Sequence, residues 1–144
     1  MAGEDRTYTL SGFAVPAQLE AVHALLKQVA TDHPELDPMD VMLFETAIIE
    51  IADNVVEHGR PQGEVQWTFT IRVREDEIEA VLDDTGQPFT PDTCSAMPDG
   101  YAEGGRGLPL AKQLLDRIEF SRFEDANHWR LTRRLGQVPP EFQI

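Results

Sequence analysis

The sequence predicts an α+β fold in which a mostly antiparallel sheet carries helices on one face. Three observations lead there. Two long stretches with helical apolar spacing stand near the N-terminus, and two adjacent stretches alternate with period two across a short acidic turn. The final strand-like stretch doubles back as a second hairpin.

The elements follow in order. "TYTLSGF" reads as a first strand. "PAQLEAVHALLKQVATD" places Leu19, Val22, Leu25, Leu26 and Val29 at helical spacing. A second helix opens after "ELDP", where Asp37 can cap, Pro38 suits the first turn and Asp40 sits at the acceptor position of a capping box. It runs to Gly59, a C-terminal stop. "EVQWTFTIRVR" and "EIEAVLDDTG" form two strands joined at "EDE". The stretch "QPFTPDTCSAMPDGYAEGG", with three prolines and three glycines, is irregular, and it leads into a helix "LPLAKQLLDRI". The stretch "EFSRFEDANHWRLTRRL" finishes as a hairpin turning near residues 125–127.

Composition bounds what this fold can do. A chain of 144 residues with 41% hydrophobic content supports one ordinary core, so a single domain over residues 1–144 is expected. The lone Cys94 excludes an internal disulfide, and His23, His33 and His128 share no metal-ligand spacing with it. No secretory signal is legible in "MAGEDRTYTL", and no apolar run approaches the ~20 residues of a membrane span, so a cytoplasmic location is expected. A formal charge of -14 repels nucleic acid and anionic membranes, and excludes both as general partners while leaving a basic protein partner open.

The second helix poses a question. Glu50, Asn54 and His58 follow one another at i, i+4 spacing in "ETAIIEIADNVVEHG". At 100° per residue Phe44, Ala47, Ile48, Ile51, Ala52 and Val55 make one apolar arc. Asn54 and His58 project into its edge, so both should be partly buried, and Glu50 lies at its margin with solvent. An unpartnered buried amide costs about 1 to 3 kcal/mol, so something polar must meet this column. Either a neighbouring loop does so, or the column faces a metal-bound phosphate site.

Two further stretches bear on that choice. In "LDDTGQPF" an alternating strand ends at Asp84, whose carboxylate can accept from an exocyclic amine such as that of adenine, and Gly86 lets backbone approach a ligand closely. An ordinary Asx turn would use the same residues. In "EGGRGLPLAKQLLD", Gly104, Gly105 and Gly107 precede a helix whose Leu108, Ala111, Leu114 and Leu115 face inward. Free N–H groups at such a helix start suit phosphate, and Arg106 adds a cation. A tight turn between caps is the alternative. The loop lacks the Gly-Lys-Ser/Thr ending of a Walker A motif, and Leu110 stands where a dinucleotide fingerprint has its third glycine.

Taken in order, Glu50-x3-Asn54-x3-His58, Asp84-x-Gly86 and Gly105-Arg106-Gly107-Leu108 resemble the N, G1 and G2 boxes of the GHKL ATP-binding superfamily. The short chain and the ending "NHWRLTRRL" look like its anti-sigma factor serine kinase branch, the RsbW and SpoIIAB type, over residues 40–135. That resemblance implies a Bergerat fold, a two-layer α/β sandwich with a mixed, mostly antiparallel sheet holding ATP under a lid. It implies that Asn54 binds Mg2+ through its amide oxygen and that Glu50 is the catalytic base toward a Ser or Thr hydroxyl. Asp84 would read the adenine amine with Gly86 making room, and Gly105, Arg106 and Gly107, closed by Leu108, would hold the phosphates. His58 would line the pocket and Thr132 would support the adenine contact. Pro88 and Phe89 depart from the pattern, where relatives carry a further glycine.

The resemblance further implies a serine/threonine kinase acting on an anti-sigma-factor antagonist of the STAS type, with a sigma factor as second partner. The alternative is a nucleotide-gated binding module without catalysis. Met42, Ile49 and Val56 form a second stripe on the same helix, expected to pack under the first helix, with a homodimer surface as the other reading.

Overall fold

The computed structural model describes residues 6–88, 111 and 113–135. Within them the chain runs β1 (Arg6–Phe13), α1 (Pro16–Asp32), α2 (Pro38–His58), β2 (Gln66–Val73), β3 (Glu77–Asp84), β4 (Arg117–Phe123) and β5 (Ala126–Arg134). The five strands form one sheet in the order β1-β2-β3-β5-β4, and every ladder among them is antiparallel.

Period-two alternation sorts the strands into two faces. Trp67, Phe69, Ile71 and Val73 of β2, Ile78, Ala80 and Leu82 of β3, and Trp129 and Leu131 of β5 are all buried. They meet Val22, Leu26 and Val29 of α1 and Phe44, Ala47, Ile48, Ile51 and Ala52 of α2 in one core. Each large side chain fully withdrawn from water there contributes about 1.5 to 3 kcal/mol. Edge-to-face contacts between Trp67 and Phe69 (centroids 5.1 Å) and between Phe120 and Trp129 (4.8 Å) order the aromatic part of it. The other face carries Ser11, Thr68, Asp83 and His128 along one register row, polar as a solvent-facing row should be.

Helix ends follow local chemistry. The Asp37 side chain accepts from the Met39 N–H at 2.8 Å, and Gly59 stands at the C-cap. Asp40, in the first turn, is buried against Arg133 of β5, with its Oδ1 turned to the sheet. The second stripe of α2 is divided, since Val56 is buried and Ile49 packs on the core, while Met42 is 50% exposed.

The final hairpin also differs from expectation. Ala111, Gln113 and Leu114 are helical, but β4 already begins at Arg117, where the helix was expected to continue through Ile118. The hairpin turns at Glu124 and Asp125, both with positive φ (54° and 62°), as a two-residue turn matched to strand twist requires. Asn127 is thereby released from the turn into β5, opposite Asp84.

Candidate functional site

The last residue of β3 anchors the site. Asp84 faces the helices and is 3% exposed. Its Oδ1 accepts from the Gly86 N–H at 2.9 Å and from Asn127 Nδ2 at 2.9 Å. Burial pushes the carboxyl pKa above the ordinary 3.8, while hydrogen bonds from Asn127 and the Gly86 N–H and the nearby Arg122 charge act the other way. Asn127 Nδ2 also donates to the Gln87 carbonyl at 2.9 Å, and Arg122 Nη1 donates to the Gly86 carbonyl at 2.8 Å and to Asn127 Oδ1 at 3.1 Å. The β4–β5 hairpin therefore clamps the loop that follows β3. Glycine is needed in that loop for space: a Cβ on Gly86 would lie 3.0 Å from Asp84 Oδ1 and 3.4 Å from Val65 Cγ2.

The same loop meets the end of α2. The Gln87 N–H donates to the Arg60 carbonyl at 2.9 Å, and Thr85 is tied to Gln66 through its backbone N–H (3.0 Å) and its Oγ1 (2.9 Å). The C-terminal turns of α2 and the end of β3 thus share one end of the molecule, and the Glu50, Asn54 and His58 column ascends toward it. Asn54 is 6% exposed, and among the described residues no hydrogen bond reaches its side chain. Glu50 is half-buried at the margin of the apolar arc. His58 is exposed, contrary to its expected partial burial, because it is the last residue of the helix and nothing continues the apolar arc past it.

Other site residues distribute unevenly. Gly105, Arg106, Gly107 and Leu108 lie outside the described residues, as does Cys94. The segment following the glycines returns as buried Ala111, Leu114 and Leu115, and Arg133 Nη1 donates to the Leu114 carbonyl at 2.8 Å. Thr132 does not join Asp84. It lies five residues beyond Asn127 on β5, so its side chain falls on the opposite sheet face, paired with Glu79. Asn127, Arg122 and Arg133 went unnoticed in the sequence. An asparagine in phase with Trp129, Leu131 and Arg133 was the one available signal, since a polar residue on a core-facing register needs a partner.

Fold and site together define a class: a two-layer α/β domain that gathers a strand-terminal carboxylate, a glycine at close approach and a polar column on the longest helix at one end. Residues 14–133 match the model of the histidine kinase-like ATPase domain, and the chain belongs to that family. Membership implies ATP binding.

The chain is also similar to the crystal structure of the RsbU and RsbW domains of Rv1364c from Mycobacterium tuberculosis, with a TM-score of 0.64 and 19% identity. That likeness covers 93% of this chain and 34% of the other, so this chain spans about a third of the length of the one it matches. It establishes the shared fold. No curated protein sequence matches the chain.

The residues present suit a magnesium ion accompanying ATP. Among the described residues no group of three or more His, Cys, Asp or Glu gathers to cage a metal. Magnesium carried by phosphates needs few protein oxygens, and the buried Asn54 amide supplies one of the right type.

Proposed function

We propose that the protein is an ATP-dependent regulator that phosphorylates a serine or threonine of a partner protein, an anti-sigma-factor antagonist of the STAS type, and so governs release of a sigma factor. The observation that carries the reading is Asn54, an amide 6% exposed that no described residue hydrogen-bonds, on the helix whose end meets the Asp84 loop. Its amide oxygen can turn to a ligand without first giving up a hydrogen bond within the described residues.

In this reading Asp84 accepts from the adenine amine, and the N–H groups of residues 105–107 with Arg106 hold the phosphates. Asn54 would hold Mg2+ through its amide oxygen, and the ion would supply neutralisation of phosphate charge. Glu50, one helical turn before Asn54 and about 6 Å away along the axis, accepts the proton of the partner hydroxyl. The hydroxyl oxygen forms a bond to the γ-phosphorus as the bond from that phosphorus to the bridging oxygen breaks, and ADP leaves with the electron pair. His58, exposed at the helix end, lines the approach.

The test is calorimetric titration with ATP, with and without Mg2+, on the intact protein and on Asn54→Ala. Mg-dependent binding lost in the variant supports the reading; absence of binding by the intact protein removes it.

A further inference from the structure

We propose that Asn127, oriented by Arg122, is the specificity-determining residue that restricts this site to purines bearing an amine at position 6. The proposal rests on the nucleotide reading above and assigns a role that the motif residues do not contain.

The geometry runs as a relay from β4 to β3. Arg122 Nη1 donates to Asn127 Oδ1 at 3.1 Å. A guanidinium has no acceptor, so this contact settles which way the Asn127 amide faces: oxygen toward Arg122, nitrogen toward Asp84. The nitrogen then donates to Asp84 Oδ1 and to the Gln87 carbonyl, both at 2.9 Å. A flipped amide would set its oxygen against the carboxylate and its nitrogen against a cation, losing three contacts at once.

The consequence falls on the carboxylate. Gly86 and Asn127 both donate to Oδ1, which holds the Asp84 plane in one orientation. Hydrogen bonds of this kind favour the ionised acid, and burial of Asp84 disfavours it. Orientation decides selectivity. A carboxylate held in one place accepts from a 6-amino group and meets a 6-oxo group acceptor to acceptor. Asn127 thus fixes the direction of the Asp84 acceptor, and Arg122 keeps Asn127 in the donating pose.

The experiment compares dissociation constants for ATP and ITP, which differ at that position, in the intact protein, Asn127→Ala and Arg122→Met, with a melting curve for each. The intact protein should prefer ATP by about tenfold or more. Asn127→Ala should bring the two constants within a few fold of each other, and Arg122→Met should move the ratio in the same direction. A structural role alone would weaken both nucleotides and leave their ratio unchanged. Retention of the full ratio by folded variants, or equal binding of ATP and ITP by the intact protein, overturns the proposal while leaving the nucleotide site standing. Should Asn127→Ala fail to fold, Arg122→Met decides. Binding of neither nucleotide by the intact protein overturns the nucleotide reading itself and this inference with it.

Discussion

Arg133 grips Asp40 with two nitrogens, Nε at 3.1 Å and Nη2 at 2.9 Å, on a single carboxylate oxygen, and both side chains are nearly excluded from solvent (3% and 4% exposed). The residues are 93 positions apart. Through its third nitrogen Arg133 also holds the Leu114 carbonyl. One side chain of β5 therefore joins the first turn of α2, which carries the Asn54 column, to the segment that returns from the glycine-rich stretch. A cation beside a carbonyl at the end of a helical segment is favoured by the local dipole as well as by the hydrogen bond.

Breaking that junction from one side should be costly. Arg133→Met leaves Asp40 buried without its counter-ion, and the expected loss is about 3 to 5 kcal/mol. Replacing both partners, Asp40→Leu with Arg133→Met, should cost less than the single change, because no buried charge is then stranded. Urea denaturation of the singles and the double measures the coupling; additive losses would mean that the pair is not a unit.

Asp84 should behave in the opposite sense. Its folded-state pKa lies above 3.8, so its contribution to stability is fully present below the unfolded value and is lost as pH rises through the folded one. At neutral pH the buried negative charge opposes folding. Asp84→Asn keeps an oxygen for the Gly86 N–H and for Asn127, so the variant should be as stable as the parent or more so at pH 7. The difference should shrink toward zero as pH falls below the ordinary aspartate range. Denaturation at several pH values checks it, and ATP titration of the same variant should show weakened binding.

Gly86→Ala tests the close approach. The new Cβ would sit 3.0 Å from Asp84 Oδ1, an atom that Asn127 holds in place and that is buried, so it cannot swing away cheaply. About 1 to 3 kcal/mol of stability should be lost, as in other overpacked sites. Nucleotide affinity should fall with it if, as proposed, the displaced carboxylate reads the base. Thermal melts and titration on one preparation decide, and unchanged values in both would mean that the loop is slack.

What was legible in the sequence had local causes. The span of α1 and the ends of α2 were readable because apolar spacing, Asp37, Pro38 and Gly59 all act within one turn of the boundary they mark. The strand end at Asp84 and the close turn at Gly86 in "DDTG" were readable for the same reason. Sheet order was not readable, since nothing near "RIEFSRF" shows that β5 rather than β4 pairs with β3. The Asp40 partner and the Asn127 relay depend on register across strands distant in sequence. Thr132 illustrates the same limit: a hydroxyl on the final strand looked suited to the Asp84 contact, and one step of strand parity put it on the other face.

The division of labour on α2 gives the final prediction. Asn54 is deeply buried and Glu50 only half so, although one helical turn separates them. A residue satisfied by a bound ligand should affect binding, and a base that acts on a partner hydroxyl should affect rate. Asn54→Ala is accordingly expected to lower Mg-ATP affinity tenfold or more, about 1.4 kcal/mol or above. It should leave fold stability within about 1 kcal/mol, since the amide removed has no hydrogen bond from the described residues. Glu50→Gln keeps size and polarity while removing the base, so nucleotide affinity should persist and phosphoryl transfer to the partner should slow by about 10² to 10⁴. Calorimetry gives the affinities and radiolabel transfer from γ-labelled ATP gives the rates. Equal loss of affinity in both variants would show that the two residues act as one binding surface, and that no base of this kind operates on the helix.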